Sequence, residues 1–193
     1  VVILAHRDDA ACPGANDNGT GTSALLELAR LFLKLPRPGR TVEFLSTTSE
    51  EGIGDGIIQY VANRRAMGEL EDIVAALDMD MIGVGGPPRI VDGGTYLDEP
   101  SVPHNAKLND YVAACGEEIG VMFGRLFATW GTAEEGRLNA NGVPAACIWK
   151  PDDPNYHSLN ELLDNVDWNA VRAVAQAVAL SAWRIAQSDV TFR

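Results

Sequence analysis

The chain opens on an unbroken apolar run, Val1-Val2-Ile3-Leu4-Ala5. A short run without polar alternation is the pattern of a strand buried on both faces of a parallel sheet. A loop rich in Gly, Asn and Asp follows, from Pro13 to Gly19. Residues 22–34 then place Leu25, Leu26, Ala29, Phe32 and Leu33 on one helical face. Pro36 and Pro38 end that helix, because proline lacks the N–H and clashes with the preceding turn. Residues 41–47 read as a second strand, 56–67 as a helix with Ile57, Tyr60 and Val61 inward, and 73–81 as a third strand. Residues 105–119 give another helix and 144–149 a fourth strand. A long helix closes the pattern over 167–187, with Asp167 as its N-cap. The stretch 83–103, rich in Gly and Pro, reads as an irregular excursion.

Strand and helix alternate almost throughout. That order predicts the α/β class, a three-layer αβα sandwich around a mostly parallel central sheet. No linker divides the 193 residues, so residues 1–193 read as a single domain with room for a full core. The first residues have no Met and no charged segment ahead of them. They read as a strand entered mid-sequence, so upstream strand or helix elements are expected, and the compartment is left open.

Composition narrows the function classes. Fifteen basic residues against 27 acidic ones leave a net charge of −12. Phosphate binding needs Lys/Arg clusters, so no nucleic-acid partner is expected. The apolar runs fall far short of the ~20 residues of a membrane-spanning helix. Cys12, Cys115 and Cys147 show no CxxC spacing, so neither a disulfide framework nor a thiolate zinc site is expected, although one pair is free to bridge. There is no G-x-S-x-G elbow, and the Gly-rich loop lacks a P-loop Lys.

Ligands of open α/β sheets bind beyond the carboxyl ends of the strands. After the first strand come His6 and Asp8, then Asp17; after the second, Glu50 and Glu51; at the end of the third, Asp78 and Asp80; past the fourth, His157. Each has a bland reading taken singly. An Asp in a Gly/Asn loop ordinarily caps its own backbone, and Glu50-Glu51 suit the first turn of a helix. Asp78 and Asp80 are harder to dismiss, since they sit among apolar residues where a lone carboxylate is costly. Gathered at one edge, these acids would repel one another unless a cation neutralised them. Mixed His and carboxylate donors suit zinc, with cobalt or manganese as substitutes. Five candidate ligands exceed what one catalytic zinc takes, and two ions about 3.5–4 Å apart sharing a carboxylate would account for them.

The blocks His6-Arg7-Asp8, Pro13 through Gly21, Ser49-Glu50-Glu51-Gly52, Asp80-Met81-Ile82-Gly83 and Tyr156-His157 together resemble the co-catalytic zinc aminopeptidases of peptidase family twenty-eight. The resemblance implies a zinc-exopeptidase catalytic domain that removes N-terminal residues from peptide or aminoacyl substrates. It implies two zinc ions, one on His6 and Asp80, the other on Glu51 and His157, with Asp17 bridging. It makes Glu50 the general base, Asp8 the residue that holds the His6 imidazole, and Tyr156 a donor to the tetrahedral intermediate. It also implies a cis peptide at Asp17–Asn18. Asp78 and Asp80 share a strand face, and only the Asp-Met-Ile-Gly run favours Asp80. Family members are often secreted, and the domain usually extends upstream of the first strand. The oligomeric state stays open.

Two departures border the substrate side. Gly131-Thr132-Ala133-Glu134-Glu135-Gly136-Arg137 stands where the family often has Ser-Asp-His or Ser-Asp-Tyr. His157-Ser158-Leu159-Asn160-Glu161-Leu162 replaces His-Thr-Pro-x-Asp-Thr. They keep alternatives open: a dipeptidase, carboxypeptidase or deacylase, a glutaminyl cyclase (typically a one-zinc enzyme), or a non-catalytic binding domain. Glu134 and Glu135 read first as solvated loop acids and second as receptors for a substrate ammonium. His104 reads as exposed, and Phe123, Phe127 and Trp130 as core packing.

Overall fold

The computed structural model describes residues 1–94, 102–129 and 132–193. In chain order the elements are β1 (Val2–His6), α1 (Gly19–Phe32), β2 (Glu43–Thr47), α2 (Asp55–Ala66), β3 (Ala76–Asp80), β4 (Arg89–Gly94), β5 (Val102–Pro103), α3 (Ala106–Glu118), β6 (Gly124–Ala128), α4 (Glu134–Ala140), β7 (Ala145–Trp149) and α5 (Trp168–Gln187). The sheet runs β2-β1-β3-β7-β4-β5, with β6 also paired to β4. The pairs β1–β2, β1–β3, β3–β7 and β4–β6 are parallel, and β4 is antiparallel to β5 and β7.

Alternation along the strands builds the layers. Ile3 and Ala5 of β1, with Leu77 and Met79 of β3, pack into a core with Leu25, Leu28, Leu108, Val174, Val178 and Ile185 from α1, α3 and α5. Val2, Leu4 and Ala76 turn the other way and meet Ile57, Val61 and Leu138 from α2 and α4. The result is the expected three-layer αβα arrangement around a mostly parallel sheet.

Gly21 is required where α1 crosses the sheet. A Cβ there would lie 2.3 Å from the Met79 carbonyl oxygen. Asn18 caps this helix, its side chain accepting from the Gly21 amide at 2.9 Å. The helix therefore begins ahead of the predicted residue 22. Its inward face is Ala24, Leu25 and Leu28, whereas Leu26 and Leu33 are 68% and 88% exposed, contrary to the sequence reading. Phe32 packs edge-on against Phe44 and Trp183. Ile57 and Val61 are buried as expected, and Asp167 caps α5 through the Asn169 amide at 2.9 Å.

The excursion over 83–103 contains β4, a correction with a simple cause. Within β4 only Ile90 and Val91 are apolar, and Gly and Pro flank them, so no run or alternation marks the strand; both residues are fully buried. β6 and the seven-residue α4 were also not foreseen, since neither shows a readable periodicity. Phe123 packs against the larger core as expected, Phe127 is 51% exposed, and Trp130 lies outside the described residues. All three cysteines are free thiols.

Candidate metal centre

Parallel strands end at the same edge, so β1, β2, β3 and β7 deliver their last side chains together. His6 closes β1 and Asp80 closes β3. The β1–β3 register pairs Leu4 with Asp78, and continued by two residues it sets His6 beside Asp80. His6 Nε2 lies 3.4 Å from Asp80 Oδ1 and 3.2 Å from Asp17 Oδ1. His157 Nε2 lies 3.1 Å from the other Asp17 oxygen, Oδ2, and 2.9 Å from Glu51 Oε2. Asp17 thus offers one oxygen to each imidazole. Donor atoms of His6, Asp17 and Glu51 fall within 4.8 Å of one another.

The loops that carry these groups adopt unusual backbone. The Asp17–Asn18 peptide is cis. Ser49, Met81 and His157 have φ of 64°, 48° and 54°, the left-handed region that favours glycine. One precedes Glu50, one follows Asp80 and one is the imidazole itself. Strained residues persist where surrounding contacts over-determine them, which is common at functional sites.

Asp8 meets its expected partner in a different way. The His6 Nδ1–H donates to the Asp8 carbonyl at 3.2 Å, and the Asp8 carboxylate is 3.6 Å off. The carboxylate instead accepts from the Glu51 amide at 3.2 Å. Donation from Nδ1 leaves the lone pair on Nε2, the form that binds a metal. Glu50 and Tyr156 line a cleft of about 170 Å³ with Asp17, Asp80, Ala133 and Trp149. The Tyr156 ring stacks on His157, centroids 3.6 Å apart. Burial, then Asp17 and Glu51, push its phenol above the ordinary range, so the hydroxyl keeps its proton.

A further residue, Glu161, joins the site although its role was not foreseen. Only 1% exposed, it accepts from the Asn16 and Asp17 amides at 3.2 and 2.6 Å through Oε1, and from the His157 amide at 3.1 Å through Oε2. One carboxylate ties the Asp17 loop to the His157 loop. The available signal was an acid at the fifth position of the segment that begins at His157.

Two sequence readings are corrected nearby. His104 is buried, its Nδ1 3.1 Å from the Val91 carbonyl. Glu134 and Glu135 are also buried, because α4 folds them under the sheet edge, and Thr47 donates to Glu134. Asp78 and Asp80 do share a face, but Asp80 reaches His6 while Asp78 accepts from the Glu135 amide at 3.2 Å.

The electrostatics fit a cation. Burial, then repulsion from Asp80, pushes Glu50 up to about 9, and burial, then Asp17, pushes Glu51 up to about 8. Burial raises Asp80 too. Burial acts to lower His6, but Asp17, Asp8 and Asp80 outweigh it and hold the imidazole above its ordinary value. Asp17 Oδ1 is buried without a hydrogen-bond donor. A positive ion at this point reverses the repulsion, and donors of nitrogen and oxygen alone suit zinc.

The family described as Peptidase family M28 matches residues 1–182. A probable lipoprotein aminopeptidase of Mycobacterium tuberculosis is 28% identical over 94% of this chain and 42% of its own length. The solved aminopeptidase of an Aneurinibacillus species superposes with a TM-score of 0.83 at 25% identity, over 100% of this chain and 45% of that one. A zinc aminopeptidase from Bacillus subtilis shares the fold, with a TM-score of 0.78 at 22% identity over 97% of this chain and 46% of that one. The chain spans about half or less of the length of each.

Proposed function

Because the chain belongs to peptidase family M28, we propose that it is a zinc aminopeptidase, acting on the N-terminal bond of peptide or aminoacyl substrates. The observation that carries this reading is Asp17, with one oxygen toward His6 and the other toward His157. In this reading His6 and Asp80 would hold one zinc and Glu51 and His157 a second, with Asp17 shared between the two sets. Bound there, zinc supplies Lewis acidity, lowering the pKa of a water and polarising the scissile carbonyl, and cobalt or manganese can substitute.

The protein groups do the rest. Glu50 takes the proton of the attacking water and delivers it to the leaving amine. Tyr156, protonated and at the rim of the cleft, donates to the carbonyl oxygen as charge develops on it. The Asp8 carboxylate fixes the backbone of Glu51, and its carbonyl fixes the tautomer of His6. Residues 1–193 act as one catalytic domain in this reading. Among the described residues no helix is long and apolar enough to cross a membrane. The lipoprotein name of the mycobacterial relative supports a setting outside the cytoplasm, which fractionation of the source cells would test.

Zinc titration of chelator-stripped protein tests the reading directly. Hydrolysis of leucine p-nitroanilide is expected to rise from near zero and level by two equivalents. Levelling at one equivalent would remove the second ion. No hydrolysis by zinc-loaded protein would redirect the search to blocked, dipeptide and C-terminal substrates. A paired substitution addresses the two strand aspartates. Asp80→Asn is expected to raise the zinc concentration for half-maximal activity about tenfold or more, as lost metal contacts do, and Asp78→Asn to shift it far less. The reverse ranking would move the metal contact to Asp78.

A further inference from the structure

Behind the centre just described lies a second group of metal-capable side chains that shares no residue with it. The β3–β7 register pairs Asp78 with Cys147, so the two side chains leave the sheet on the same face. α4 covers that face and brings Glu135 over the pair, its amide donating to Asp78 Oδ2 at 3.2 Å. Donor atoms of Asp78, Glu135 and Cys147 lie within 4.8 Å of one another, and all three residues are 0% exposed. Asp78 Oδ1 and both Glu135 carboxylate oxygens have no hydrogen-bond donor. The His104 ring stands beside them, with Nδ1 3.7 Å from Glu135 Oε1. Its Nδ1 donates to the Val91 carbonyl, and Nε2 is buried without a partner.

Buried carboxylate oxygens without donors are costly, and here they converge on a thiol. A divalent cation held by one donor atom from each residue would relieve that cost. We propose that Asp78, Glu135 and Cys147 form a closed, sulfur-containing metal site that ties β3, β7 and α4 together beneath the catalytic edge. A thiolate among the donors favours zinc over magnesium or calcium. Because all three donor residues are 0% exposed, the site is structural rather than catalytic. No CxxC spacing announces it, because sheet register and a short helix, not neighbouring sequence, assemble its donors. This inference does not depend on the function of the catalytic edge.

Sulfur provides the test. The proposed catalytic centre has only nitrogen and oxygen donors, so any thiolate-to-cobalt signal must come from elsewhere. The full chain would be produced in cobalt-supplemented medium, so that metal is present while the closed site folds. A near-ultraviolet thiolate-to-cobalt charge-transfer band is expected, with a sulfur scatterer at the cobalt X-ray absorption edge. Cys147→Ser is expected to lose the band and about one metal equivalent per chain. The X-ray measurement on the unmodified chain stands even if that variant fails to fold. Absence of sulfur-ligated cobalt in the unmodified chain, or persistence of the band in Cys147→Ser, would overturn the site and leave a metal-free cluster of protonated acids.

Discussion

Glu50→Gln is expected to lower kcat about a thousandfold while the zinc content stays unchanged. A positioned general acid–base residue contributes roughly 10²–10⁴-fold, and a thousandfold loss is about 4 kcal/mol of transition-state stabilisation. Glutamine keeps the shape of the side chain, so the cleft with Asp17, Asp80 and Tyr156 stays the same size. It cannot take up the proton of the attacking water. Its neutral amide matches the protonated form in which burial and Asp80 hold Glu50, up to about 9, in the metal-free chain. The melting temperature should therefore hold as activity falls, which separates a lost base from a damaged fold. Turnover at saturating zinc, metal content by mass spectrometry and a thermal melt decide the matter. Full activity would exclude Glu50 as the base, and loss of zinc would make it a ligand.

Glu161→Gln should weaken zinc binding by about 10–100-fold, the usual cost of losing a group that orients metal ligands. The carboxylate is acceptor-only and receives amide protons at both oxygens. An amide accepts at one side only, so its NH₂ must face the Asp17 loop or the His157 loop, donor against donor. One loop is released, and the buried mismatch costs about 1–3 kcal/mol of stability as well. The diagnostic readout is the zinc dependence of activity. A positioning role raises the half-maximal zinc concentration and lets excess zinc restore kcat. A purely structural role lowers the melting temperature and leaves the zinc midpoint in place, and that result would reject the assignment.

The α/β order and the residues that meet at the sheet edge were legible because both rest on strong local patterns. Val1 to Ala5 declares a buried strand, and parallel strands must send His6, Glu51 and Asp80 to one side. Elements whose burial depends on distant partners were not legible. β4 hides in a Gly/Pro-rich stretch because β6 and β7 supply its pairing. Glu134 and Glu135 look like loop acids until α4 turns them under the edge. His104 looked exposed for the same reason, since its burial depends on the β4 carbonyl that it meets. Leu26 and Leu33 show the converse error. Several apolar spacings fit one turn of α1, and only the sheet beneath selects Ala24, Leu25 and Leu28.

The Glu161 link also has a consequence for how the protein comes into being. Its bond to the Asp17 amide joins residues 144 apart in sequence. Contacts of such separation form late, because the intervening chain must lose its freedom before they give anything in return. The helices can therefore regain their signal in a refolding experiment before any hydrolysis returns. On the ribosome the same order acts as a safeguard. A nascent chain whose His157 segment is still in the exit tunnel carries His6, Asp17, Glu51 and Asp80 but not a finished centre. In the proposed reading no peptide is cut until the His157 segment has joined the four groups that precede it.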